Sequence, residues 1–302
     1  MIDRYLLRYF LAVVDQGNFS RAAAQCRVSQ PTLSVGIAKL ERELGTALFE
    51  RSSRRVELTR EGVRFLGYAG RIEREFLAAE TLGQTGSREL LRLGVLTTLP
   101  AAWVEKMIEE AGVDWLGGGL EIVEGKTGEL RSKLERGRID AAVTLVETEA
   151  ADAEPLYREG FGVAVNLSHP LAGEDSLSAE QVADHVMLVR RQCEMLSATS
   201  RHFTMRGIRP FMAAKTMNDE RALAMVRAGL AVTVAPCSYS GNGIAIVSMA
   251  GFDVERTIGI MHGTVGGTLL HPGSREMLRR IADSLAGMAR DHGLPPLAPA
   301  TR

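Results

Sequence analysis

The chain has 302 residues, long for a single hydrophobic core, so two or three compact units are expected. Apolar content of 45% and charged content of 24% are ordinary for a globular protein in water, and no run approaches the roughly 18 apolar residues that a membrane span needs. The net charge of −1 hides an asymmetry: residues 1–88 carry 14 basic against 10 acidic side chains, while 89–302 carry 22 against 27, which points to nucleic acid at the N-terminal end and to something else beyond it.

The first segment, "MIDRYLLRYFLAVVDQG", places Leu6, Phe10, Val13 and Val14 on one helical stripe. Asp3 and Arg8 interrupt it and no small-residue cleavage site follows, so it reads as an amphipathic helix and a cytoplasmic protein is expected. Gly17 closes this helix, and Asn18 or Ser20 caps "SRAAAQC", whose Ala22, Ala23 and Ala24 let a neighbouring helix approach. After a brief turn at Arg27 and Val28, Ser29 caps a third helix with Pro31 in its first turn, where a missing N–H costs nothing. That helix runs to Leu44 and stops at Gly45, burying Leu33, Ile37, Leu40 and Leu44 and turning Pro31, Val35, Ala38, Lys39 and Arg42 outward. "ALFERSSRRVELT" predicts two short strands turning at Ser52-Ser53, with Arg51, Arg54 and Arg55 clustered at the tip. Thr59 caps a long helix to about Gly83 with Phe65, Ala69, Ile72, Phe76 and Ala79 in one stripe, suited to packing on a partner helix.

Beyond "GQTGSRE" the pattern alternates. "LLRLGVL", "LEIVEG", "IDAAVTLV", "HVMLV", "FMAAKT" and "LAVTVAP" read as strands, separated by helices over 100–110, 127–136, 195–206 and 218–228. Such alternation predicts α/β units with largely parallel sheets. "VERTIGIMH" brings the chain back, 274–290 is a last helix, and "GLPPLAPATR" is expected to be disordered.

Helix, short turn and a second helix with an uncharged N-terminus make a helix-turn-helix, in which the second helix offers short polar groups to base edges in the major groove. Gln30 has the geometry to pair bidentately with adenine, with Thr32 and Ser34 beside it, and the arginines around Ser52-Ser53 suit phosphates or the minor groove. At these residues the chain resembles the LysR-type transcriptional regulators: "FSRAAAQCRVSQPTLSVGIAKLERELGTALFERSSRRVELTREG" follows that family's N-terminal signature almost without gaps. The resemblance implies an α/β protein with an N-terminal winged helix-turn-helix (1–58), a linker and dimerisation helix with its hinge (59–88), and a two-subdomain effector domain resembling periplasmic binding proteins (89–302; subdomain I about 89–155 and 263–291, subdomain II about 156–262). It implies base contacts at Gln30, Pro31 and Ser34, to which the residues themselves add Thr32. It also implies a wing contact at Arg54 with Arg51 and Arg55 near phosphate. The implied assembly is a homodimer to homotetramer on promoter DNA, with RNA polymerase as a further partner.

Some positions keep two readings. Ser29 is a cap as well as a candidate backbone contact, and Lys39 and Arg42 are solvated surface or phosphate contacts. Cys26, among alanines, reads as a core thiol. Val35 and Gly36 stand where the family often has a basic residue and Gln. Gly36 costs the helix about 1 kcal/mol against Ala, so more readout is expected from the wing and from DNA bending.

In two-subdomain α/β folds ligands sit at strand C-termini and helix N-termini. "GVLTTLP" offers Thr97 and Thr98, "VEGKTGEL" offers Lys126 and Thr127, "KTMNDE" offers Asn218 with Asp219, and "LVRRQCE" adds Arg190 and Gln192 at the opposite lip. Thr98 and Thr127 match the family's effector positions. Hydroxyls, free N–H groups and an arginine suit a small carboxylate effector, with Arg190 equally placed to serve as an interdomain ion-pair partner.

Three other classes stand beside this reading. "EGKTGE" resembles part of a phosphate-binding loop, but the required glycine falls on Leu120, with Gly119 one residue off. No nucleophile-base or metal-ligand constellation appears, so neither an enzyme nor a metal or other cofactor is expected. A secreted solute-binding protein is disfavoured by the DNA-binding head and the absent signal peptide. Cys26, Cys193 and Cys237 form no CxxC, which argues against disulfide or zinc frameworks. A thiol-based redox regulator using Cys193 or Cys237 is the alternative: Arg190 and Arg191 favour a Cys193 thiolate. Against it, the family's peroxide sensors carry two cysteines close in sequence, and these stand 44 residues apart.

Overall fold

A computed structural model describes residues 2–50, 56–81, 89–112, 118–150, 152–263, 270, 272–295 and 297. The N-terminal part is helical: α1 (Arg4–Gln16), α2 (Phe19–Gln25), α3 (Gln30–Leu44) and α4 (Arg60–Thr81). Leu6, Phe10 and Val13 of α1 meet Ala22 and Ala23 of α2 and Leu33, Ile37 and Leu40 of α3 in one core, which Leu48, Phe49, Leu66 and Ala69 complete. Ala24, expected with its two neighbours at the contact, is exposed, and Leu44 is only partly buried. Of the two short strands expected before α4, the described residues show one antiparallel bridge, Phe49 to Leu58. Thr59 starts α4 as expected, its Oγ1 accepting from the Gly62 N–H at 2.9 Å. Arg4 holds α4 against α1 through Glu73, donating at 2.9 Å and 3.0 Å.

The remainder runs β1 (Glu89–Leu96), α5 (Ala101–Glu110), β2 (Gly118–Gly125), α6 (Thr127–Glu135), β3 (Ala141–Leu145), β4 (Ala153–Asn166), β5 (Ser176–Leu177), α7 (Ala179–Ala183), β6 (Met187–Arg190), α8 (Leu196–Met205), β7 (Met212–Thr216), α9 (Asp219–Arg227), β8 (Thr233–Pro236), β9 (Ile244–Met249), β10 (Glu255–His262) and α10 (Pro272–Asp291). One sheet has the order β2-β1-β3-β10-β4-β9-β5, with β8 also paired to β4, and β6 and β7 form a second. The expectation of largely parallel sheets is corrected here. β1 pairs β2 and β3 in parallel, but β10 runs antiparallel to β3 and β4, and β4 antiparallel to β8 and β9.

The strands β4 and β9 were not read from the sequence. β4 is the long element that joins two cores: its first half pairs with β10 and its second with β8 and β9. On one side Leu93, Trp103, Met107, Tyr157, Ile258 and Ile281 pack together; on the other Phe161, Val163, Val165, Phe203, Val234 and Val247 do. The start of the C-terminal tail, expected to be disordered, is docked instead. Leu294 is buried in the first core, and β4 binds the tail through Arg158 N–H to Pro295 O at 3.2 Å and Leu297 N–H to Leu156 O at 3.0 Å.

Candidate functional site

The recognition face is built by the caps of α3. Ser29 accepts from the Thr32 N–H at 3.2 Å, Pro31 stands in the first turn, and Gly45 ends the helix at φ 70°, a left-handed conformation that favours glycine. Burying Leu33, Ile37 and Leu40 leaves Gln30, Pro31, Thr32 and Val35 exposed and Ser34 half-buried. Gln30 donates through Nε2 to Ser34 Oγ at 2.9 Å, so two of the expected base contacts hold one another in place. Ser29 Oγ and Thr32 Oγ1 lie 2.7 Å apart. Arg42 is exposed, whereas Lys39 is already engaged by Asp3 at 3.1 Å and Tyr5 Oη at 3.2 Å. Gly36 lies on the inner side, where a Cβ would stand 2.6 Å from the Tyr9 ring. Its role is to let α1 approach, a packing reason that the helix's own propensity does not reveal. Arg51, Arg54 and Arg55, the expected wing contacts, lie outside the described residues.

The expected effector residues do not come together in one place. Thr98, buried after β1, donates to the Glu194 carboxylate and accepts from Arg256 Nη1 at 3.0 Å. Thr127, at the start of α6, lies 3.1 Å from Thr144 by hydroxyl oxygens, next to the exposed Lys126 that precedes the helix. Asn218 is spent as the cap of α9, accepting from the Arg221 N–H at 2.9 Å. Arg190 is buried and committed within its own subdomain: it pairs with Asp219, donates to Val234 O at 3.2 Å and lies over the Tyr239 ring. Burial works against its charge, and Asp219 with Tyr239 raises its pKa in spite of that.

Sequence reasoning missed the centre of this region. Arg256 of β10 is buried and bonds Glu159 of β4 at 2.9 Å, Glu194 at 2.8 Å and Thr98 O at 3.2 Å. Glu159 is fully buried and also accepts from the Ser238 N–H at 2.7 Å. The one available signal was a pair of adjacent charges, Arg158-Glu159 and Glu255-Arg256, inside each of two otherwise mostly apolar strand segments, "YREGFGVAV" and "VERTIGIMH".

Glu194 follows Cys193, a buried free thiol in the turn after β6. Burial pushes this thiol above its ordinary pKa, against the pull of the Arg190 guanidinium and the Met195 N–H. Cys237 is pushed up by burial and by Glu159, and Cys26, half-buried against the head core, by burial. Gln192 Oε1 and Glu194 Oε2, on either side of Cys193 in the chain, and Thr97 Oγ1 after β1 are buried without a hydrogen-bond partner among the described residues. Such groups are expensive unless something polar meets them. No metal-binding group of three or more His, Cys, Asp or Glu occurs among the described residues, and no described helix is long and apolar enough to cross a membrane.

Residues 5–63 match the family described as bacterial regulatory helix-turn-helix protein, lysR family, and residues 84–266 match the LysR substrate binding domain. A hydrogen peroxide-inducible genes activator of Haemophilus influenzae is 35% identical over 61% of this chain and 62% of its own length, so the match spans less than two thirds of that relative. A probable hydrogen peroxide-inducible genes activator of Mycobacterium avium is 32% identical over 82% of this chain and 78% of its own. Full-length OxyR of Pseudomonas aeruginosa has a similar structure, with 27% identity, 98% of both chains covered and a TM-score of 0.61. Full-length CbnR in complex with its target DNA shares the fold at a TM-score of 0.53 and 20% identity, covering 94% of this chain and all of that one.

Proposed function

The chain belongs to the LysR family of DNA-binding transcriptional regulators, and from that premise we propose that its output is switched by peroxide oxidation of Cys193. One observation carries the reading. Cys193 is buried, its chain neighbours Gln192 and Glu194 carry buried oxygens able to accept from a small polar oxidant, and Glu194 is tied through Thr98 and Arg256 to the rest of the domain. The names of the relatives support it. In the step itself the Cys193 thiolate attacks one peroxide oxygen, an S–O bond forms as O–O breaks, and the departing hydroxide takes a proton to leave as water. The cysteine is left as a sulfenic acid.

A carboxylate effector is the weaker reading. At Thr98 it meets the Glu194 carboxylate, and Arg190, the cation invoked for it, is occupied by Asp219. In the head we propose Gln30, Pro31, Thr32 and Ser34 as base contacts, Ser29 and Arg42 at the backbone, and Arg51, Arg54 and Arg55 as the wing. Lys39 joins them only by giving up Asp3. Boundaries near 58 and 88 separate head, linker helix and regulatory domain in this reading. The exposed Val63, Tyr68, Ile72 and Phe76 of α4 favour pairing with a second copy.

The test is operator affinity with and without hydrogen peroxide, together with dimedone labelling of the cysteines by mass. Oxidant is expected to shift wild-type affinity at least about fivefold, the lower end of typical coupling. Cys193→Ser is expected to abolish the shift and Cys237→Ser to keep it. No shift in the wild type, or the same shift in Cys193→Ser, ends the proposal.

A further inference from the structure

Cys193 also forms part of the wall of a cavity of about 290 Å³ that lies within the second core. That volume is at the lower end of the roughly 300–1,000 Å³ of small-molecule sites. Leu196, Phe203, Ile208, Met212 and Val234 supply its apolar walls. The three threonine hydroxyls that also line it are spent on backbone carbonyls: Thr199 donates to Met195 O at 2.9 Å, Thr204 to Ser200 O at 2.8 Å and Thr233 to Leu188 O at 3.0 Å. The wall is therefore greasier than its composition suggests. Arg190 borders the same cavity and is almost wholly buried, and its Nε is a donor without a partner among the described residues. The Cys193 thiol, the Arg190 side chain with its free N–H and apolar walls thus border one cavity.

Resting on the peroxide reading above, we propose that the oxidant class includes small organic hydroperoxides, aryl or branched-alkyl, whose hydrocarbon part fills this cavity while the peroxy group meets Cys193. Hydrogen peroxide has no apolar part and leaves these walls unused. An organic hydroperoxide buries its hydrocarbon there, gaining on the order of 25 cal/mol per Å² of apolar surface removed from water. The Cys193 thiolate attacks the terminal oxygen of ROOH. The S–O bond forms and the O–O bond breaks, two electrons pass from sulfur to the departing alkoxide, and the alkoxide takes a proton to leave as ROH. Arg190 Nε–H is placed to donate to the peroxy group during this transfer. The product is the same sulfenic acid, with an alcohol in place of water.

The experiment uses the full chain and two oxidants, cumene hydroperoxide and hydrogen peroxide, at equal concentration, following Cys193 sulfenylation by dimedone labelling and mass. Cumene hydroperoxide is expected to react at least about tenfold faster. Ser200, exposed on α8 at the cavity edge, provides a variant that fills the space without touching the thiol. Ser200→Phe is expected to remove the cumene hydroperoxide advantage and to leave the hydrogen peroxide rate within twofold of wild type, which also reports that the variant is folded. Equal rates for the two oxidants in the wild type, or an undiminished ratio in Ser200→Phe with the hydrogen peroxide rate intact, overturn this proposal while the peroxide reading stands. Failure of both oxidants to modify Cys193 overturns both.

Discussion

At Cys193 two influences oppose one another. Burial removes water from the thiolate and raises the pKa, while the Arg190 guanidinium and the Met195 N–H favour the anion; burial prevails. The thiolate is the nucleophile, so the resting site is mostly protonated near neutral pH and the anion becomes available as pH rises. The rate of Cys193 oxidation is therefore expected to climb close to tenfold per unit between pH 7 and pH 9, without a plateau. Stopped-flow measurement of sulfenylation at fixed oxidant checks this. A flat profile over that range means that the thiolate is already formed at pH 7, and the balance at this residue is then the reverse of the one described. Arg190 is not free to be drawn closer to the sulfur, because Asp219 and Val234 O hold its two terminal nitrogens.

Among the elements, α3 joins sequence to function most directly. Its Ser29 cap contributes about 1 kcal/mol to the helix, and the first two turns carry the exposed Gln30 beside the half-buried Ser34. The Gln30 to Ser34 bond holds the amide, which would lower the ordering cost of the proposed bidentate contact. Gln30→Ala is expected to lose about 1–3 kcal/mol of preference at one base pair of the operator, with non-specific binding unchanged. Competition titrations with operator and scrambled DNA read the difference, and equal loss on both DNAs assigns Gln30 to the backbone instead. This helix was legible in the sequence because its signals are local: a cap, a proline in the first turn, a stripe at helical spacing and a terminal glycine. Gly36 was legible as an oddity but not as a contact, since Tyr9 lies on another helix. β4 was illegible for a related reason. "AEPLYREGFGVAVN" carries Pro155, Arg158, Glu159 and two glycines, which break alternation, and the strand exists because it changes partners midway between two cores. The charge that spoils its pattern is the one that Arg256, 97 residues away, turns inward to meet.

For the molecule as a whole, Arg256 is the place where separate parts of the regulatory domain are held to one another. It binds Glu159 on β4, Thr98 after β1 and Glu194 after β6, the last being next to the proposed sensor. A change at Cys193 that displaces Glu194 thus alters what the first core feels without any contact between the thiol and DNA. Stability and signalling are separable at this residue. Arg256→Met leaves Glu159 buried and unpaired, which is expected to cost about 3–5 kcal/mol in denaturant unfolding of the domain. Arg256→Met with Glu159→Leu removes both charges and is expected to recover most of that loss, because burying the pair is itself costly. The double variant keeps Cys193 and its oxidation but has no guanidinium for Glu194 to hold. Its operator affinity is expected to be the same oxidised or reduced, within about twofold, while the wild type retains the shift. If the double variant is stable, becomes sulfenylated and still switches its DNA affinity as the wild type does, coupling runs through another path and Arg256 is a structural residue alone.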